Sequence, residues 1–399
     1  MKIFEVKNLG NLELKNGIFR SATFEGMADK NGFITDEYIE FYKKLSEQEI
    51  GGIITGFTYI SQEGKAMQKG QAGIDNKNKI VYLKKLTDVV NENNGKIFLQ
   101  IAHTGRQTRK KCTGKRAKAP SYSRSPYFRE WAKKLDLDEI RNIINQFGDS
   151  AFYAKEAGFH GIQLHCAHGY LIHQFLHPSI NRRKDAYGIT NDGGILFLKK
   201  IIENIRKKCG QDYPILVKVS GSDDINKDKS GECFINLIKF LDTQKIDAIE
   251  ISYGTMDYAL NIFRGDTIPV DTILKFNPIY SLKNKVLRKL WEILILPIMK
   301  SKLKKFTPMY NLEYAKVAKA YTNIPIISVG GFRNLEEINY AHEKCEIDFV
   351  SLCRPFLREA DFVTKLKEDN SYKSKCINCN VCAIMTDSEK STGCIFNNK

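Results

Sequence analysis

Short apolar runs bounded by turn-forming residues recur eight times along the chain, at residues 18–24, 52–58, 96–101, 161–165, 215–220, 248–252, 325–329 and 348–352. Most are too short and too continuously apolar for amphipathic helices, so the pattern predicts buried strands. Between them lie segments whose apolar positions recur at helical spacing, among them 136–157, 194–209, 311–321 and 334–344. Eight strands alternating with helices predict an α/β fold, a closed (β/α)8 TIM barrel. A doubly wound sheet is the competing architecture. It would usually carry a glycine-rich turn after its first strand, and SATFEG offers nothing like GxGxxG. The expected organisation is a barrel over residues 1–370, with an insertion near 255–310 between strands six and seven, then a short cysteine-rich C-terminal tail over 371–399.

Composition supports a globular chain and narrows its partners. Of 399 residues, 42% are hydrophobic, which excludes a disordered or collagenous chain. The 62 Lys and Arg exceed the 46 Asp and Glu to leave a formal charge of +16. That excess is dispersed, and the basic run from Arg109 to Lys118 lacks interleaved aromatics, so it reads as solvated surface and no nucleic-acid partner is expected. No stretch reaches the roughly 18 apolar residues of a membrane span, and the N-terminus has no signal-like apolar region. A soluble, cytoplasmic protein is expected. Six of ten cysteines are scattered singly and four crowd into the last 24 residues, unlike a secreted disulfide framework.

Barrel chemistry gathers where strands end, and the ends here are polar. They carry Ser21 and Thr23, Thr55 and Thr58, Gln100 and His103, then His165, His168 and Tyr170. Lys218 and Ser220 follow, then Glu250, Ser252 and Tyr253, then Gly330 and Gly331, and last Cys353 and Arg354. The final two ends suit a phosphate, because glycines let backbone N–H groups approach oxygens and Arg354 supplies a cation; a tight turn and a helix cap are the plainer roles. Five of the seven histidines lie between His160 and His177. Their spacing matches no closed zinc pattern. His165 and His168 could instead donate to one carbonyl or anionic oxygen beside Tyr170 as a proton source, against an ordinary core role. Gln100 can both donate to and accept from a heterocycle edge, and Lys218 needs either a partner such as Glu250 or an anionic ligand.

The stretches LKNGIFRSATFEG, GGIITGFTYISQEG, IFLQIAHTGRQ, AGFHGIQLHCAHGYLIHQFLHPSINRRKDAYG, PILVKVSGSD, IPIISVGGFR and DFVSLCRPF, across residues 14–356, resemble the Old Yellow Enzyme family of FMN-dependent ene-reductases. The chain is most similar to its NADH:flavin oxidoreductase and 2,4-dienoyl-CoA reductase branch. The resemblance implies that Gln100 meets the flavin pyrimidine edge and that Lys218 lies near its N1 and C2 carbonyl. It implies that Gly330, Gly331, Cys353 and Arg354 hold the FMN phosphate, with Ser21, Ala22, Thr23 and Phe57 completing the cofactor set. His165 and His168 would grip a substrate carbonyl and Tyr170 would donate the proton. An α,β-unsaturated carbonyl substrate, NAD(P)H or a reduced partner protein as electron source, and a homo-oligomer are expected. Departures are Phe24 where many members place Thr or Cys, Lys218 for a frequent Arg, and Gly194 where Arg is common. Amine oxidation and a flavin barrel acting on RNA are the alternative activities, and a non-catalytic electron carrier is a further one. Larger branch members continue into a dinucleotide-binding half that this chain is expected to lack.

Two segments carry further expectations. Cys376, Cys379, Cys382 and Cys394 are spaced Cx2Cx2Cx11C, which suits one metal centre. By resemblance this is a 4Fe-4S cluster, with zinc as the structural alternative. Residues 285–300 read KVLRKLWEILILPIMK, a basic apolar stretch too short to span a bilayer. Packing on the barrel or a subunit, a lid over the flavin and an interfacial membrane helix are its three readings.

Overall fold

The computed structural model describes residues 2–225 and 227–397. Eight strands form its centre: β1 (Ile18–Arg20), β2 (Gly52–Ile54), β3 (Ile97–Ala102), β4 (Gly161–Cys166), β5 (Ile215–Ser220), β6 (Ala248–Ser252), β7 (Ile326–Val329) and β8 (Phe349–Leu352). Each pairs in parallel with the next, and β8 pairs with β1, closing the sheet. The outer helices are α1 (Asp36–Ser46), α2 (Ile80–Glu92), α3 (Leu137–Glu156), α4 (Leu196–Cys209), α5 (Lys227–Asp242), α6 (Leu312–Lys319), α7 (Leu335–Asn339) and α8 (Phe362–Glu368). This is the predicted (β/α)8 barrel.

Strand side chains alternate between the two faces of the sheet, and that alternation sorts them into layers. Outward residues such as Ile53, Leu99, Leu164, Val217, Ile251 and Val350 pack on helix residues such as Leu45, Leu86 and Ile201. Inward, Phe19, Ile54, Phe98, Leu216, Ala248, Ile327 and Phe349 fill the base together with Leu9 and Leu14. Those two leucines arrive on a hairpin of Lys7–Leu9 and Leu12–Leu14. Two residues further along five strands come Ser21, Gln100, Lys218, Glu250 and Ser351. The apolar base thus carries a polar floor.

The first two strands are shorter than their apolar runs. β1 ends at Arg20, whose buried guanidinium donates to the Ile54 and Thr23 carbonyls and turns the chain inward. The second run breaks because Gly56 N–H donates to the Glu25 carboxylate (2.6 Å) instead of a strand; Thr58–Tyr59 then pairs separately with the end of β3. The connection after β6 holds helices Ala259–Phe263, Val270–Phe276, Lys285–Leu294 and Leu296–Lys302. After α8 the chain is mostly irregular and returns over the barrel mouth. There the Asp387 carboxylate accepts from Gln68 (2.6 Å), Tyr127 (2.9 Å) and Asn277 (2.6 Å).

Candidate active site

The polar floor is a connected hydrogen-bond network. Glu250, fully buried, accepts from Ser21 Oγ and Ser351 Oγ at 2.6 Å each and from Gln163 Nε2 at 2.8 Å. Lys218 Nζ lies 3.2 Å from the same carboxylate and donates to Ser21 Oγ at 2.9 Å. Burial alone would raise the Glu250 pKa, but the Lys218 charge and these donors hold it below the usual range. Gln163 Oε1 accepts from Gln100 Nε2 at 2.7 Å, which orients that amide. The ion pair named as the plain role for Lys218 is therefore present, and Lys218 still faces the cavity above. Gln163 was missed, although its position two residues before His165 placed it on the same inward face.

Above the floor, the end of β4 makes a sharp turn. His168 (φ 59°) and Gly169 (φ 75°) are both left-handed. A Cβ on Gly169 would lie 3.1 Å from Gln107 Nε2 and 3.2 Å from Thr255 Cβ, so both conformation and space favour glycine. The turn folds His168 back, its Nδ1 lying 3.2 Å from His165 Nε2 and its Nε2 2.8 Å from Ser252 Oγ. Tyr170 lies against His165 (ring centroids 4.6 Å apart) and Phe57 (5.5 Å). Burial lowers His165 to about 3 and pushes His168 well down, so both imidazoles are neutral. Burial raises the Tyr170 phenol, which keeps its proton at neutral pH.

These groups face one cavity. Of the expected residues, Ala22, Thr23, Phe57, Gln100, His165, His168, Tyr170, Lys218, Cys353 and Arg354 line it. Ser21 lies in the floor beneath. Gly330 (φ 118°) and Gly331 (φ 93°) are packed under the 307–311 segment, where a Cβ on Gly331 would approach Met309 N to 2.5 Å. Phe24 lines the wall, as do tail residues Cys382, Ala383, Thr386 and Thr392, which strand-end reasoning could not find. Asn311 Oδ1 and Thr392 Oγ1 are buried in this lining without a hydrogen-bond partner. Buried polar groups left open suit a polar ligand, and with Gln100, Lys218 and Arg354 they fit a flavin nucleotide.

Other expected groups are placed differently. His173 and His177 lie outside this cavity, where His177 Nε2 is 2.9 Å from Asp223. The four tail cysteines line a second cavity, and Arg354 and Cys382 border both spaces. Arg333 holds Asn378 (2.6 Å) and Arg354 holds Asn380 (2.8 Å), fixing the turns that carry the thiols. Among the described residues no group of three or more His, Cys, Asp or Glu is set to hold a metal ion. One zinc with Zn–S bonds of ~2.3 Å would bring four sulfurs to about 3.8 Å of one another. The four thiols line one space, and the expected metal centre is not shown among the described residues.

Acid should destabilise this protein through its histidines. Burial is the largest cause that lowers His103 and His173 to about 4 and His165 to about 3. An unfolded histidine titrates near ~6.5. The folded values are the lower ones, so this stabilisation is complete above about pH 6.5 and is lost as the pH falls towards 4. His103 and His165 alone set a loss on the order of 5 kcal/mol by about pH 4.5. Asp387, raised by burial to about 6, opposes it by roughly 2 kcal/mol. Urea midpoints measured from pH 7 down to 4.5 should fall steeply, and a flat or rising series would contradict the neutral assignment.

A family model described as the NADH:flavin oxidoreductase / NADH oxidase family matches residues 2–265, about two thirds of the chain. The chain belongs to that family. It is 32% identical over 370 residues to an NADPH dehydrogenase of Clostridium acetobutylicum, covering 91% of this chain and 94% of that one. It is 27% identical over 381 residues to an NADH oxidase of Thermoanaerobacter brockii, covering 95% of this chain and 53% of the relative. A cinnamate reductase of Clostridium sporogenes is 26% identical over 401 residues, covering 94% and 54% respectively. The chain thus spans about half the length of the last two. Among solved structures, an old yellow enzyme homologue from Zymomonas mobilis superposes with a TM-score of 0.71 at 23% identity, over 95% of this chain and 96% of that one. The likeness in fold agrees with the resemblance read from HCAHGY and its companions. Among the described residues no helix is long and apolar enough to cross a membrane.

Proposed function

We propose that this member of the NADH:flavin oxidoreductase family binds FMN and reduces the C=C bond of an α,β-unsaturated carbonyl compound with electrons from NAD(P)H. The observation that carries the reading is that His165, His168 and Tyr170 face the same cavity as Gln100 and Lys218. Gln100 and Lys218 would hold the flavin ring and Arg354 its phosphate, with Ala22, Thr23, Phe57 and Cys353 as walls and Ser21, Gly330 and Gly331 supporting from behind. Bound FMN would supply hydride chemistry, taking hydride from NAD(P)H and delivering it to the β-carbon of the alkene.

The chain's own groups then manage the carbonyl and the proton. His165 and His168, held neutral, keep N–H groups to donate to the carbonyl oxygen, where negative charge develops. Substrate binding would exchange their mutual contact for two bonds to that oxygen. Tyr170 keeps its proton until the α-carbon needs it. Phe24, Phe57, Ile262 and Phe263 line the cavity with apolar surface that excludes water. The NADPH dehydrogenase and cinnamate reductase names of relatives support the reductant and the conjugated substrate class.

The tail thiols are proposed to hold an iron–sulfur cluster, because all four line one cavity that shares Cys382 and Arg354 with the flavin cavity. Burial puts the Cys382 thiol at about 12, so metal binding would have to displace its proton. An electron-donor protein, the two-part domain division, a homo-oligomer and a cytoplasmic location belong to the same proposal. One anaerobic preparation tests these parts. Flavin absorption bands, release of FMN on denaturation and NADPH consumption that depends on cyclohexenone or cinnamate are expected. A colourless protein, or one whose NADPH consumption ignores every enone, would overturn the function. Iron with acid-labile sulfide that falls in Cys379→Ser is expected for the tail, and zinc in its place would remove the cluster alone.

A further inference from the structure

Surface helices of globular proteins normally turn their apolar stripe inward and their charges outward. The helix Lys285–Leu294 leaves its apolar stripe in solvent, and none of its residues is buried. At about 100° per residue, Val286, Leu287, Leu290, Trp291, Ile293 and Leu294 cover an arc of roughly 160°, and Lys285, Arg288, Lys289 and Glu292 cover the rest. Only Arg288, Trp291 and Glu292 are partly covered, while Lys285 and Lys289 stay exposed beside the apolar stripe. Arg288 is half-buried and donates to the Leu282 carbonyl at 2.6 Å, and Trp291, at the arc's edge, meets Tyr280 with ring centroids 6.3 Å apart. Val286, Leu287, Leu290, Ile293, Leu294, Ile295 and Ile298 are 38% to 68% exposed. Of the three readings of this segment, the exposed stripe does not show packing on the barrel, and no residue of 285–302 lines the larger cavity, though Met299 borders an adjoining one with Met256 and Phe263.

The charges bordering this face choose its occupant. Residues 283–305 hold eight basic residues against the single acid Glu292. Lys283, Lys285, Lys289, Lys300, Lys302 and Lys305 are exposed around the apolar surface. A second copy would bring two such basic faces together, which like-charge repulsion opposes. An anionic bilayer satisfies both features, since acyl chains accept the leucines and isoleucines while lipid phosphates meet the lysines. Ten helical residues extend only ~15 Å, so the helix lies in the interface rather than crossing it.

We infer that Lys285–Leu294, continued by Leu296–Lys302, docks this protein on anionic membrane surfaces. Its far end is tied to the barrel mouth, because Asn261 donates to the Lys302 carbonyl (3.0 Å) and accepts from Lys304 N–H (2.8 Å). Asn261 belongs to the helix whose Ile262 and Phe263 line the flavin cavity. Docking therefore sets that cavity close to the lipid surface, where apolar substrates concentrate.

The test is flotation of the full chain with vesicles of phosphatidylglycerol and phosphatidylcholine in equal parts, against phosphatidylcholine alone. Binding should be about tenfold or more stronger to the anionic vesicles and should weaken with salt. It should vanish in the triple variant Leu290→Glu, Ile293→Glu, Leu294→Glu, whose sites already face solvent, and weaken in Lys285→Glu, Lys289→Glu, which keeps the apolar face. No flotation with anionic vesicles overturns the inference, as does binding that survives the triple variant. A dimer in light scattering that the triple variant dissolves would assign the face to a second copy instead. No readout depends on flavin or turnover, so this result stands apart from the proposed reaction.

Discussion

Replacing Tyr170 with phenylalanine should slow oxidation of the reduced protein by an enone by roughly 10²–10⁴-fold, the usual worth of a positioned general acid. Reduction by NAD(P)H should stay nearly unchanged, because that half-reaction needs no proton at the substrate α-carbon. The phenol suits the step on two counts. It lies against His165, at the cavity where the carbonyl would be held, and burial keeps it protonated. Phenylalanine retains the packing against Phe57 and His165, so the loss should appear as rate rather than as unfolding. Stopped-flow traces of the two half-reactions separate these outcomes. Equal losses in both would remove Tyr170 as proton donor and leave it a wall of the cavity.

Glu250→Gln should cost about 3–5 kcal/mol of stability, because it leaves the Lys218 ammonium buried beneath the cavity without its counter-charge. Both groups are enclosed, so solvent offers little screening. The double variant Glu250→Gln, Lys218→Met removes the unpaired charge and should recover most of the loss. It should recover the fold without recovering flavin, since Lys218 is the cation assigned to the flavin ring. Urea unfolding of the two single variants and the double variant measures the coupling. A Glu250→Gln protein within about 1 kcal/mol of the parent would show that the pair does not organise the floor.

The strands were legible because a barrel strand buried on both faces leaves a local signature, a short apolar run between turns. Those of β5 and β6 match their runs residue for residue. The polar ends of the strands were legible for the same reason: a Lys or Gln inside an apolar run stands out. Thr23, Gln100, His165, His168, Tyr170, Lys218, Cys353 and Arg354 all reach one cavity, as does Ala22, which only the resemblance supplied. Gly330 and Gly331 show the limit of this reasoning. Their left-handed turn was foreseeable from composition, but the segment that covers them comes from a loop with no periodic signal.

The sequence by itself determined the number and order of the strands, the helices between them and the identity of the side chains offered at the barrel mouth. Each of these follows from periodicity within a few neighbouring residues. Only the tertiary structure decided which of those side chains meet. Ser21 bonds to Glu250 across 229 positions, and Gln68 bonds to Asp387 across 319, distances at which no local pattern carries information. Chain closure likewise decided that Cys382, Ala383, Thr386 and Thr392 of the tail wall the larger cavity and that the four thiols line one space. It also decided which way residues 285–302 turn. An amphipathic repeat specifies two faces without saying which is covered, and here Arg288 and Trp291 meet Leu282 and Tyr280 of the same connection and leave the leucines and isoleucines outside.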